Sequence, residues 1–348
     1  MKNAISTEEK VLRIIEKYDA LELTGELLWR VITDDGKVSV EFGDQKKPFF
    51  IASATKLYVT AILAQLAVEG VIDWDQPIAK YLPKVELAQL STHGGNDYGD
   101  DITIREIMAH TAGLPDYFEG KLSNSPTTIQ RAIDHDFGWG LDEVLNWTRK
   151  MKPVRRGSGY YSDTGYQLLG ALIEAVDGVS FADSVERRIC EPLELSSTYV
   201  FGATNVPSYS EIAQMLGGKS SLTIPLAMAS VQADGGIVST VTDSARFLGA
   251  FFSGDLFPSK MLEQISVAWH PIFPPLEYGT GIMRFSLPAL MTGFTHIPEF
   301  IGHSGASGAV MFRSPELGLT IVGTVNQTRK RSLPFELLIR CALEVKRG

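Results

Sequence analysis

Apolar residues recur at helical spacing from Val11 through Leu12, Ile14 and Ile15 to Tyr18, which predicts an amphipathic helix over 8–19. The period then changes. Leu27 to Ile32 and Val38 to Phe42 read as two strands, the second alternating cleanly, with Asp34-Asp35-Gly36-Lys37 as the hairpin turn. Pro48 breaks the chain. The run Leu57 to Val68 that follows is too apolar for a surface helix, and Gly70 ends it. From there to about residue 230, strand patterns largely disappear. Thr103 and Glu106 have capping-box spacing and open a helix ending at His110 to Pro115. Further helices are predicted within 126–152, over 166–173 and over 181–190. Gly235-Gly236 turns into a short strand, and Thr242-Asp243 caps a helix over 244–252. After Gly279 strands return at 281–285, 300–305, 308–313 and 319–326, and a helix over 333–346 closes the chain.

Strands and a helix thus occupy both ends while helices fill the middle. The expected fold is α+β: an antiparallel sheet built from both termini, flanked by the terminal helices, with an all-helical lobe inserted. Residues 1–60 and 235–348 would form the sheet domain and 61–234 the helical one, with a cleft between them. Loops 85–100, 116–140 and 270–300 are the expected cleft walls.

The composition is that of an ordinary globular chain: 348 residues, 44% hydrophobic and 21% charged, with mean hydropathy near zero. A net charge of −9 disfavours nucleic acid as a partner. No run of eighteen apolar residues is long enough to span a bilayer. The first ten residues carry Met1 and no apolar core of a secretory leader, so a cytoplasmic location is expected. Two cysteines, Cys190 and Cys341, are too few for a disulfide framework or a zinc site. His135, between Asp134 and Asp136, lacks a ligand triad at metal spacing and reads as a solvated helix end.

Chemistry enters at Ser53-Ala54-Thr55-Lys56, which opens the apolar run. A helix there puts Lys56 one turn from Ser53 on the same face. The positive helix end favours developing negative charge, and a desolvated neutral amine takes a hydroxyl proton. The pair alone more often describes a capping serine followed by a solvated lysine. Two other segments bear on the choice. Tyr161-Ser162-Asp163 sits in a polar, glycine-rich loop, and His303-Ser304-Gly305 ends a strand whose glycine admits a substrate backbone. Gly302 to Ala306 approximates the nucleophile elbow of an α/β-hydrolase, but no histidine follows residue 303, as that fold requires. His110, at a helix end before Gly113 and Pro115, is read as a capping or packing residue.

In this order the three segments resemble the marks of the serine β-lactamase and penicillin-binding protein superfamily: Ser-x-x-Lys, Tyr-x-Asn and Lys-Thr-Gly or His-x-Gly. The similarity is to the branch of class C β-lactamases, D,D-peptidases and related esterases. Residues 107–115, 166–170 and 235–240 resemble it too. The resemblance implies Ser53 as the acylated nucleophile, with Lys56 and Tyr161 sharing the proton work and either as the base. It implies an oxyanion hole from the N–H groups of Ser53 and Ala306. Asp163, His303, Ser304 and Gly305 would contact substrate, His303 and Ser304 positioning a carboxylate or leaving group. To act near neutrality, Lys56 or Tyr161 needs a lowered pKa.

Two positions depart from the pattern. Asp163 stands where an amide is usual, and an ionised carboxylate cannot donate to a substrate carbonyl. It would favour an amine, pair with His303, or be a tolerated exchange. His303 replaces the lysine typical of β-lactamases, which weakens anchoring of a β-lactam carboxylate. The expected activity is therefore hydrolysis of small esters or of amides and peptides of D-amino acids, with weak β-lactam hydrolysis or penicillin binding. A catalytically silent binding or scaffold protein is the alternative. No metal or organic cofactor is expected, and the partner is a small ester, amide or β-lactam.

Overall fold

Ser6 accepts the Glu9 N–H and caps the first helix, α1 (Thr7–Asp19), whose buried stripe is Val11, Ile15 and Tyr18. The hairpin follows as β1 (Leu28–Thr33) and β2 (Ser39–Phe42). The remaining strands of the same sheet come from the other end of the chain. They are β3 (His270–Phe273), β4 (Leu276–Tyr278), β5 (Met283–Phe285), β6 (Phe300–Ser304), β7 (Ala309–Ser314) and β8 (Leu319–Thr324). Their order is β3-β4-β5-β6-β7-β8-β1-β2, antiparallel throughout, so the amino-terminal hairpin completes a carboxy-terminal meander. The computed structural model describes residues 5–83, 85–122, 125–287 and 296–348. The start of the chain and parts of the expected wall loops 116–140 and 270–300 lie outside the described residues.

β3 and β4 precede the carboxy-terminal strands expected from the sequence, which begin after Gly279. Pro274 and Pro275 form the turn between them, and β3 alternates intermediate with exposed side chains rather than buried with exposed ones. A proline pair and a weakly buried edge strand leave little periodicity to read.

One face of the sheet is covered by α1 and by the last helix, α5 (Leu333–Arg347), which packs Leu337, Leu338 and Cys341 against Trp29, Val31, Phe312 and Ile321. Each large side chain so buried is worth about 1.5–3 kcal/mol. The opposite face meets α2 (Thr55–Val68), apolar all round and buried from Thr55 to Ala64. Tyr58 of α2 stacks on Phe247 of α4 (Val241–Ser253) at 3.6 Å between ring centroids. The Thr60 hydroxyl lies 2.8 Å from the carbonyls of both Lys56 and Gly281, fixing α2 against the sheet margin. Beyond α2 lies the long α3, observed over Asp163–Asp177 and so three residues earlier than its apolar pattern indicated. A three-stranded sheet of Phe49–Phe50, Ile237–Ser239 and Tyr199–Val200 supports the chain just before Ser53. Among the described residues no helix is long and apolar enough to cross a membrane.

Candidate active site

Ser53 lies in a short 3-10 turn, Ala52–Ala54, that leads into α2. Ala52 has a left-handed φ of 47°, an uncommon conformation that costs a non-glycine residue about 1–2 kcal/mol. The turn is held by its surroundings. Ile51 N–H donates to the Ile237 carbonyl at 3.1 Å, and Thr55 Oγ1 accepts the Ile237 N–H at 3.1 Å. At the first turn of a helix the N–H groups have no intrahelical acceptor. The end of β6 approaches from the other side. Ser304, Gly305 and Ala306 share with Ser53 and Tyr161 the lining of a cavity of about 480 Å³.

Lys56 is completely buried, so the reading of a solvated lysine does not hold. Its Nζ donates to Asp163 Oδ1 at 2.7 Å and to the Asp234 carbonyl at 2.5 Å, and lies 5.1 Å from the Tyr161 ring centroid. Burial by itself disfavours the ammonium, but the charges of Asp163, Tyr161 and Asp234 outweigh it and hold the Lys56 pKa above its ordinary value. The lowered pKa expected of this lysine is thus not its resting condition. The physical reason is Asp163, whose pairing partner is Lys56 and not His303. Tyr161, which interacts with both Ser53 and Lys56, is likewise pushed up by burial. At rest the site holds a phenol and an ammonium.

Asp163 opens α3, and burial pushes its carboxyl above the usual carboxylate range although the Lys56 charge beside it pulls the other way. It belongs to a group of three buried acids. Asp116 accepts the N–H groups of Asp163, Phe118 and Glu119 at 2.9–3.2 Å, yet burial and the neighbouring Asp163 push it up to about 7. The Asp234 carboxyl accepts from the Tyr117 hydroxyl at 2.8 Å and from Gln167 Nε2 at 3.0 Å.

His303 is fully buried and does not line the cavity. Its Nδ1 lies 2.7 Å from the Ser304 carbonyl, which only accepts, so Nδ1 carries the proton and Nε2 accepts from the Tyr278 hydroxyl at 2.9 Å. Burial and the Lys56 charge push its pKa down to about 3. A neutral imidazole behind the strand does not reach a substrate carboxylate, whereas Ser304 and Gly305 of the same segment do face the cavity. His110 is also buried, as a packing residue. Its Nδ1 accepts the Ser162 N–H at 3.2 Å and its ring lies 4.3 Å from that of Tyr161, so it holds the tyrosine loop.

Several lining residues were not singled out from sequence. Phe273, Leu276, Met283, Phe285 and Phe335 make one apolar wall, while Glu119 and Arg331 pair across another part of the rim. Arg331 is the cation on the cavity surface among the described residues.

Residues 30–338 match the family described as Beta-lactamase. A putative penicillin-binding protein, PbpX, of Bacillus subtilis is 22% identical over 275 residues, covering 76% of this chain and 61% of that protein. The D-alanyl-D-alanine-carboxypeptidase/endopeptidase AmpH of Escherichia coli is 25% identical over 211 residues, 60% of this chain and 49% of that one. The chain therefore spans between about half and three-fifths of the length of these relatives. Among solved structures, the D-amino acid amidase of Ochrobactrum anthropi, complexed with L-phenylalanine, superposes with a TM-score of 0.78 at 20% identity, covering 98% of both chains.

Proposed function

The chain belongs to the Beta-lactamase family, within the serine β-lactamase and penicillin-binding protein superfamily, and from that premise we propose that it is a serine hydrolase working through an acyl-enzyme on Ser53. The observation that carries this reading is that Ser53, Tyr161 and the Ala306 segment line one cavity, with buried Lys56 behind it, its Nζ 5.1 Å from the Tyr161 ring centroid. The Ser53 hydroxyl attacks a substrate carbonyl as its proton passes to the Tyr161–Lys56 pair. The oxyanion is held between the N–H groups of Ser53 and Ala306, a contribution of about 3–4 kcal/mol per donor in comparable sites. The leaving group departs with a proton from the same pair, and water then releases the acyl group. On this reading residues 1–60 and 235–348 form one domain and 61–234 the other, with the reaction in the cleft between them.

The substrates proposed are small carboxylic esters and amides or peptides of D-amino acids. The apolar wall suits an aromatic or branched acyl group. Amidase and carboxypeptidase relatives support the amide side of the proposal. Weak β-lactam hydrolysis or penicillin binding is consistent with a neutral, buried His303 in place of a lysine.

The test is hydrolysis of a p-nitrophenyl ester of a short acid by wild type and Ser53→Ala, with intact mass recorded during turnover. Loss of turnover and of an acyl adduct in the variant alone supports the reading. Equal hydrolysis by both proteins, or no adduct on the wild type with esters, D-phenylalanine amide or penicillin, overturns it.

A further inference from the structure

One buried ammonium, Lys56, meets Asp163 and Asp234, with Asp116 held behind Asp163, and only Asp163 touches its Nζ through a carboxylate oxygen. We propose that Asp163 is the proton acceptor that frees Lys56 for catalysis, so that the enzyme starts each cycle from an ion pair and performs acylation through a neutral pair. The inference rests on the acyl-enzyme reading above and assigns Asp163 a role other than holding substrate.

The geometry leaves Asp163 as the acceptor. The Asp234 carboxyl is turned to Tyr117 and Gln167 and offers Lys56 only its backbone carbonyl. Asp116 is occupied by three backbone N–H groups and is reached through the Asp163 N–H. The two buried histidines are no help. His303 Nε2 already accepts from Tyr278, and His110 Nδ1 accepts from Ser162. Arg331 is paired with Glu119 at the rim, and Tyr166, below Lys56, donates to the Met108 carbonyl. Burial favours this step, because converting an ion pair to two neutral groups removes two desolvation penalties at once. Substrate filling the cavity, which Asp163 lines, would exclude water and press the balance further the same way.

The protons balance without any outside reactant. One of the three Lys56 protons moves to Asp163, leaving an amine and a carboxylic acid. The Tyr161 proton moves to that amine, and the Ser53 proton moves to the Tyr161 oxygen as Oγ bonds to the carbonyl carbon. When the tetrahedral adduct collapses, Tyr161 protonates the departing amine or alkoxide, Lys56 restores the Tyr161 proton, and Asp163 returns its own to Lys56. Each group ends as it began, and the Ser53 proton has left with the leaving group.

The experiment is the pH profile of kcat/KM for a p-nitrophenyl ester, in wild type and in Asp163→Asn, with intact mass on the same samples. In the wild type the active form holds one proton on the pair. Activity should then be level through neutral pH and fall only in the acid range, as Asp163 becomes protonated. In Asp163→Asn no acceptor remains, and only the fraction with neutral Lys56 reacts. Its acid limb should move to higher pH by at least 1 unit, with at least a tenfold loss at pH 6 and recovery as pH rises. The opposite result overturns the proposal: if Lys56 must lose its proton to solvent, wild-type activity climbs far into the alkaline range. Removing the carboxylate would then move the limb to lower pH. The wild-type profile decides the matter even if the variant fails to fold. An acyl adduct on Ser53 with a limb moving down refutes this inference alone, whereas absence of the adduct refutes the acyl-enzyme reading with it.

Discussion

Gly305 is where the fit of the proposed oxyanion hole can be measured. A Cβ added there would lie 2.2 Å from the Ile51 carbonyl oxygen and 3.0 Å from the Ala52 Cβ. Relaxed carbon contacts lie near 3.5 Å, so the strand end and the nucleophile turn must part by about 1 Å. Neither side gives easily. Gly305 N–H donates to the Ala309 carbonyl at 2.8 Å, and its own carbonyl accepts from Gly308 at 3.0 Å. The turn is tied to Ile237, and Ser307 Oγ donates to the Phe50 carbonyl at 2.7 Å. The displacement therefore falls on the gap between the Ser53 and Ala306 N–H groups. Gly305→Ala should cost about 1–3 kcal/mol of stability as overpacking and lower kcat roughly 100-fold, since a 1 Å misplacement at a reacting centre has an effect of that order. The control is Gly249→Ala within α4, where a new Cβ meets nothing within 4 Å. It should leave kcat unchanged and add about 0.5–1 kcal/mol of stability from helix propensity. Steady-state kinetics of ester hydrolysis and thermal melting of both variants make the comparison. A folded Gly305→Ala protein with kcat within about twofold of wild type would refute the placement of the oxyanion between these two groups.

Two further predictions concern the buried charges. Lys56→Met removes the only ammonium from a site where the Asp163 side chain is 8% exposed, so the uncompensated carboxylate should cost about 3–5 kcal/mol in urea denaturation. Lys56→Met combined with Asp163→Asn should recover most of that loss, and equal stability of the single and double variants would show that Asp163 is not ionised at rest. For His303 the sign is that of a depressed pKa: about 3 folded against about 6.5 unfolded. Its neutrality is free above pH 6.5 and becomes a growing cost to the folded state as pH falls toward 3, at about 1.4 kcal/mol per unit. His303→Gln should therefore gain on the wild type by that slope in denaturation below pH 6.5, and a difference independent of pH would mean that the imidazole is solvated or charged.

The local marks of the site were legible and its supporting charges were not. Ser53 with Lys56, and Tyr161 with Asp163, each sit within four residues of one another, so a short motif records them. Glu119 and Arg331 are separated by 212 positions, and each looks like any exposed charge until the fold closes the rim. Asp116 and Asp234 were equally hidden, because nothing in their neighbours says that one ends against Asp163 and the other against Lys56. For His303 the strand was found but its facing was not. β6 has the burial order buried, intermediate, buried, buried, intermediate, so simple alternation does not say that the imidazole turns inward to Tyr278. The large features, a sheet from both termini and helices between, were readable because they depend on periodicity alone.

Position 163 shows why residue type and partner have to be considered together. From sequence, an acid in place of an amide is a question about hydrogen bonding to substrate, and it has no definite answer. In the folded chain the same carboxylate lies 2.7 Å from the Lys56 ammonium, and the question becomes which of the two holds a proton. An asparagine there would remove the charge in contact with the ammonium and leave no acceptor for its proton, so that only the fraction of Lys56 already neutral acts as a base. An aspartate supplies that charge and stabilises the ammonium. A catalytic lysine can then work only if the acid that holds its charge also takes its proton. The exchange of one side-chain nitrogen for an oxygen thus moves the proton store of the site from solvent to the protein, and the pH profile rather than the rate at any one pH reveals it.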